Sequence, residues 1–194
     1  MLRILIPALQ VGPGQTGVGT YTLELVRALA QLAREEPGRE NYVVAAPHPE
    51  RFDFLEGEEG FRVEPVRLPH EGSMGRMLAL HTLVPRLAER LEVDLVMGVN
   101  FIAPLWGRFA TSVAVHDLTF VHFPETMPPV KRVYYRMMVR RSIRRARAVF
   151  VLTEGMRREV LAFEPSARGR IRIAPGGVSP TYLANGDVEG EGPE

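Results

Sequence analysis

His116-Asp117-Leu118 follows the apolar run Ser112-Val113-Ala114-Val115 and is followed by His122-Phe123-Pro124-Glu125. A polar pair at the carboxyl end of a buried strand stands where open α/β sheets bind ligands, in the crevice outside the strand ends. Its imidazole is also the side chain whose proton state is adjustable near neutral pH. Two further segments point to the same edge: Gly17-Val18-Gly19 after the first apolar run, and Thr153-Glu154 after Ala148 to Leu152. Three strand ends converging on one rim predict a ligand cleft.

Gly12-Pro13-Gly14-Gln15-Thr16-Gly17 spells the G-x-G-x-x-G of dinucleotide binding. That fingerprint needs its glycines to open the helix and an acidic residue at the end of the second strand, about 20 residues on, to hold the ribose. Here the spacing puts the helix after Gly19, and the second strand ends in Ala45-Ala46-Pro47, so a dehydrogenase is disfavoured. Gly17-Val18-Gly19 ahead of Thr20 fits a ligand contact better, because small residues allow close approach and free amides at a helix start attract phosphate or sugar oxygens; a plain turn is the alternative. His116, Asp117, His122 and Glu125 lack the i, i+4 spacing that aims two imidazoles at one ion, so no metal site and no cofactor is expected. His48, His70 and His81 have no comparable context, Trp106 reads as loop packing, and Asn100 in the same loop is a candidate acceptor contact.

The elements that must position these residues alternate regularly. Leu2 to Leu9, Tyr42 to Ala46, Phe61 to Leu68, Asp94 to Met97, Ser112 to Val115, Ala148 to Leu152 and Arg170 to Ala174 read as strands. Between them, Thr20 to Arg34, Met74 to Leu91 despite Pro85, Pro128 to Arg147 and Gly155 to Phe163 read as helices. Short continuous apolar strands alternating with helices predict an α/β fold, a Rossmann-like parallel sheet with helices on both faces. Residues 1–183 form that domain, and 184–194, nearly without apolar surface, a linker or tail.

The 194 residues, 45% hydrophobic, suffice for one sizeable core. A net charge of +1 gives no global field calling for nucleic acid. The absence of cysteine excludes disulfides and thiolate chemistry and is compatible with the cytoplasm. Met1 to Leu9 is too short for a secretory signal or a membrane span of roughly 20 residues, so a soluble or at most peripheral protein is expected.

Lys131 to Arg147 contains no acidic residue. Projected at the helical period, Tyr135, Val139, Ser142, Ile143 and Ala146 share one face that can pack on the sheet. Arg140, Arg141, Arg144 and Arg145 fall opposite, with Val133, Tyr134, Met137 and Met138 one or two turns earlier. A basic helix with exposed apolar residues reads as a site for an anionic membrane or partner at the inner membrane face. The alternative is a solvated arginine face.

Gly17-Val18-Gly19-Thr20-Tyr21 with Leu25 and Leu29, Val115-His116-Asp117-Leu118 with Phe123-Pro124, Val149 to Glu154, and Ile173-Ala174-Pro175-Gly176-Gly177-Val178 share the order and spacing of the N-terminal domain of retaining glycosyltransferases of family four. The sequence resembles that domain over about residues 1 to 183. The resemblance implies the GT-B fold, in which two Rossmann-like domains face one another and the C-terminal one holds most of the nucleotide-sugar donor. It implies that Gly17, Val18, Gly19 and Tyr21 lie at the donor phosphates or acceptor, that His116 contacts the transferred sugar with Asp117 beside it, and that Thr153, Glu154 and Gly177 line the acceptor side. Gly176 stands where the family has Asn. The basic pair and two-glutamate motif of the family's C-terminal domain have no counterpart before Glu194, so this chain reads as the N-terminal half, inactive alone.

Three functions therefore stand side by side. The first is retaining transfer of a sugar from a nucleotide-diphosphate donor to the hydroxyl of a sugar or lipid-linked acceptor, with mainly electrostatic stabilisation and no identifiable carboxylate nucleophile. The others are a non-catalytic nucleotide- or sugar-binding module and a membrane-surface domain.

Overall fold

The computed structural model describes residues 1–14 and 16–177; Val178 and the predicted tail 184–194 lie outside the described residues. Strand β1 (Leu2–Pro7) leads into helix α1 (Gly17–Glu35), then β2 (Glu40–Ala46), a 3-10 segment at Pro49–Leu55, and β3 (Phe61–Pro65). Helix α2 (Gly72–Arg90), β4 (Leu95–Gly98), β5 (Ala110–Val115) and a one-turn helix α3 (Thr119–His122) follow. Helix α4 (Pro129–Arg145), β6 (Ala148–Val151), α5 (Glu154–Phe163) and β7 (Ile171–Ile173) complete the order.

The strands form one parallel sheet in the order β3-β2-β1-β4-β5-β6-β7. The chain changes direction across the sheet between β1 and β4, the switch point at which such sheets bind ligands. Side chains alternate across β1: Ile4 and Ile6 face α1 and the 3-10 segment with Val26, Val44 and Phe52, whereas Leu5 faces α2, α4 and α5 with Val84, Val113, Val139 and Val160. Both faces of the central strands are thus buried, as continuous apolar runs require, and helices cover both faces. Every predicted strand and helix is present, with ends moved by up to three residues; α3 and the 3-10 turns carry too little periodicity to be seen in the sequence.

Pro85 lies buried inside α2. Proline cannot donate to the carbonyl four residues back, which here belongs to His81. The indole Nε1 of Trp106 donates to that carbonyl at 2.7 Å. Trp106 is therefore structural, as its loop context suggests, and it repairs a bond that Pro85 removes. At the other end of α2, a Cβ on Gly75 would stand 1.6 Å from the His70 carbonyl oxygen, so only glycine lets the incoming loop fold back over the first turn.

Two buried polar residues fix α4. Ser142 Oγ accepts from the Ala103 amide at 3.1 Å, tying the helix to the β4–β5 loop. The Glu164 carboxylate, 3% exposed, receives Arg144 at 2.8 Å and also pairs with Arg140. Burial pushes the Glu164 carboxyl up, but the hydroxyl and amide of Ser166 and the Arg144 guanidinium outweigh it and hold it below its ordinary value.

The Trp106–Pro85 compensation can be measured by a double-mutant cycle on thermal unfolding. Trp106→Phe leaves the His81 carbonyl without its donor and should cost about 1–3 kcal/mol. In a Pro85→Ala background, which restores a helical N–H, the same change should cost measurably less. Equal costs in both backgrounds would mean that the indole contributes packing alone.

Candidate functional site

Parallel pairing brings the carboxyl ends of β1, β4, β5 and β6 to one edge, where the predicted rim assembles. His116 is the first residue after β5 and is partly buried. Its Nε2 lies 3.0 Å from the Val99 carbonyl oxygen, just beyond β4. A carbonyl only accepts, so Nε2 carries a proton, and in the neutral form of the ring the lone pair is then on Nδ1. The Tyr21 ring meets the imidazole edge to face, centroids 4.5 Å apart. Burial raises the Tyr21 hydroxyl above its ordinary pKa, so Tyr21 is a neutral wall at physiological pH. His116 is thus held from one side by β4 and from the other by α1, with Nδ1 left to accept from a ligand hydroxyl.

The glycine segment differs from the expected turn. Helix α1 starts at Gly17, and Thr16 caps it, its Oγ1 accepting from the Gly19 amide at 3.1 Å. Gly19 is buried, and a Cβ there would lie 3.1 Å from the Gln10 carbonyl oxygen, so this glycine serves close packing of α1 on the β1–α1 loop. Gly17 is exposed with open space around it, and Val18 lines a cavity at the rim. The expectation that the helix begins after Gly19 is corrected: glycine disfavours helix, but the Thr16 cap and the contact with Gln10 override that preference.

Other predicted residues have local partners. Asp117 Oδ1 accepts from the Thr119 amide at 2.9 Å, which turns the chain into α3. Asn100 Oδ1 accepts from the Phe101 amide at 2.8 Å, and its side chain also lines the cavity. Thr153 caps α5 by accepting from the Met156 amide at 3.1 Å. Glu154 pairs with Arg157 at 2.7 Å one turn along. Thr153, Glu154 and Gly177 are exposed, and no described contact joins them to His116. His122 pairs with Glu159 at 2.9 Å, away from His116 and Asp117. Among the described residues no three His, Asp or Glu side chains gather closely enough to hold a metal ion.

The four arginines of α4 do not form the free basic face that the projection suggests. Arg140 donates to the Phe163 carbonyl at 3.0 Å, stacks over the Phe163 ring and pairs with Glu164; Arg144 pairs with Glu164 alone. Arg145 donates to the Gly107 carbonyl at 2.7 Å and stands over Phe109. Arg141 is exposed and has no hydrogen bond or ion pair among the described residues. Met138 is buried, and Tyr134 is half-buried with its hydroxyl pushed up to about 12 chiefly by burial. A helical projection cannot see Glu164 or Phe109, which reach α4 from distant segments. Of the apolar residues on α4, Val130, Val133 and Met137 stay exposed, at 85%, 62% and 41%.

The cavity, about 280 Å³, opens at the switch point between β1 and β4. Gln10, Thr16, Ser73, Arg76, Asn100 and Tyr135 supply its polar lining. Gln10, Ser73, Arg76 and Tyr135 carry no motif that marks them in the sequence. Only the crossover that brings α2 and α4 to this edge reveals them.

Residues 15–182 match the sequence model described as Glycosyltransferase Family 4. Among solved structures, a glycosyltransferase from Rickettsia africae ESF-5 is similar at a TM-score of 0.55 and 13% identity, over 96% of this chain and 46% of that one. The chain thus spans about half the length of the structure it matches. No match is found among the curated proteins.

If Tyr21 holds His116 by ring packing, Tyr21→Phe should leave the His116 ring-proton NMR shifts nearly unchanged. Tyr21→Ala should move them downfield and cost about 1–3 kcal/mol of stability. Unmoved His116 signals in Tyr21→Ala would show that the Val99 bond suffices.

Proposed function

Since the chain belongs to glycosyltransferase family 4, we propose that its rim is the acceptor-side half of a sugar-transfer site, with His116 hydrogen-bonded to the sugar being moved. The donor in this reading is a nucleotide-diphosphate sugar bound mainly by a second domain, and transfer proceeds with retention. The observation that carries the reading is the His116 tether: with Nε2 committed to Val99, Nδ1 is a fixed acceptor at the edge where α/β sheets bind ligands. A fixed acceptor aimed at a sugar hydroxyl aligns the ring without reorganising when charge develops at the anomeric carbon. Asp117 does not act as nucleophile, because its carboxylate is exposed and committed to the Thr119 amide.

A second reading, contact with an anionic membrane surface, is favoured by one feature. Val130, Val133 and Met137 stand exposed on the stripe of α4 that continues into Arg141. No helix of the described residues is long and apolar enough to cross a membrane, so this contact would be peripheral. Of the four arginines only Arg141 is uncommitted, so the apolar residues carry more of the contact than the arginine cluster does.

In the whole enzyme, His116→Ala should lower turnover at least tenfold, about 1.4 kcal/mol of barrier, in protein that still folds although loss of the Val99 bond costs it about 1–3 kcal/mol. Near-normal turnover would reduce His116 to a structural tie. For the membrane contact, Val133→Asp with Met137→Asp should abolish co-sedimentation with anionic liposomes at low salt, while Arg141→Gln should only weaken it. Wild-type protein that never pellets would remove this reading.

A further inference from the structure

The rim cavity has a polarity that the transfer reading does not require. Arg76, on the second turn of α2, is half-buried in its lining, and it makes no hydrogen bond or ion pair with any described residue. Arginines around α4 differ in this respect: Arg140, Arg144, Arg145 and Arg170 all end on carbonyls or on Glu164. Among the described residues no Asp or Glu lines the cavity. Its polar lining beyond Arg76 is neutral and includes Thr16, Ser73 and Tyr135. Helix α2 opens at the same place, and its first turn has neither a side-chain cap nor an acidic residue; Glu71 at the cap position is exposed and outside the lining.

A second observation is independent of charge. The Oε1 of Gln10, also in the lining, is buried without a hydrogen-bond partner. A buried acceptor left unpaired costs about 1–3 kcal/mol, which a donor from a bound molecule would relieve. The Arg76 guanidinium is a planar fork matched to two oxygens of one anion. Burial raises the Tyr135 hydroxyl, and the Arg76 guanidinium partly offsets that rise.

We infer that this cavity binds the acceptor as a small hydroxyl-bearing anion, its carboxylate or phosphate monoester paired with Arg76 and a hydroxyl donating to Gln10. This rests on the acceptor-side reading above and adds to it the chemical class of the acceptor. A cavity of about 280 Å³ has room for a group of monosaccharide size. A lipid-linked or peptide acceptor would present only its anionic head here.

The test is ligand binding to the 194-residue chain, followed by thermal shift and by NMR of the Arg76 side chain. Glycerol 3-phosphate, D-glycerate, inorganic phosphate and glycerol are compared at about 10 mM. The inference expects glycerol 3-phosphate or D-glycerate to bind and glycerol not to, and whichever of the two binds identifies the anionic group. Arg76→Gln should weaken that binding at least tenfold, while Arg76→Lys, which keeps the charge without the fork, should weaken it less. Gln10→Leu should reduce glycerol 3-phosphate binding to the level of inorganic phosphate. Binding of glycerol as tight as that of the anions, binding by none of the four, or unaltered binding in Arg76→Gln would each overturn the inference. The two readings separate in the whole enzyme: loss of transfer in His116→Ala with an unchanged acceptor KM in Arg76→Gln keeps the transfer reading and removes this one. Anion binding through Arg76 with normal transfer in His116→Ala keeps this inference and removes only the His116 contact from the transfer reading.

Discussion

The hydrogen bond from His116 Nε2 to the Val99 carbonyl is the contact on which the rim depends. It joins the ends of β4 and β5 beyond the last ladder pair, Gly98 with Val113, where the backbone would otherwise diverge into two separate loops. It also determines which ring nitrogen keeps the lone pair in the neutral ring. Tyr21 then closes the imidazole from the side of α1, so the first helix of the fold and the fifth strand share one fixed group. A site assembled on the ends of rigid strands is held more tightly than one carried by loops alone.

Helix α4 plays the corresponding role on the other side of the switch point. Tyr135 reaches the cavity only because the rest of the helix is held by Ser142 against Ala103 and by the Arg144–Glu164 pair. The carbonyls at its end are gathered by Arg170, which bonds Ile143 at 2.8 Å and also reaches Ala146. Arginines that look like a ligand surface in one dimension are the fastenings of this helix in three. Replacing them wholesale would therefore test stability and membrane contact at once, and the exposed valines and methionine are the cleaner probes.

Much of the fold was legible because parallel strands buried on both faces write uninterrupted apolar runs, as at Leu5, Val44, Val113 and Val149. His116 was legible for the same reason, being the first polar residue after such a run. Thr153 and Glu154 occupy an equivalent position but spend their side chains on the start of α5, a local role that strand-end position cannot distinguish from ligand contact. Gly19 reads as a ligand-facing glycine until the proximity of the Gln10 carbonyl is known. Arg76 and Gln10 were invisible, since one looks like an ordinary helix-surface arginine and the other like a loop glutamine. Their meaning comes from the β1–β4 switch point, which no local pattern encodes.

The fixed acceptor at the rim stands on the proton of His116. Long-range proton–nitrogen correlation spectra of the ¹⁵N-labelled chain, recorded above the pH at which histidines titrate, report which ring nitrogen is protonated. The structure predicts Nε2 in the protonated range and Nδ1 in the lone-pair range, with the Nε2 proton protected from exchange. The opposite tautomer, or rapid averaging between the two, would contradict the tether to Val99 and with it the fixed acceptor at the rim.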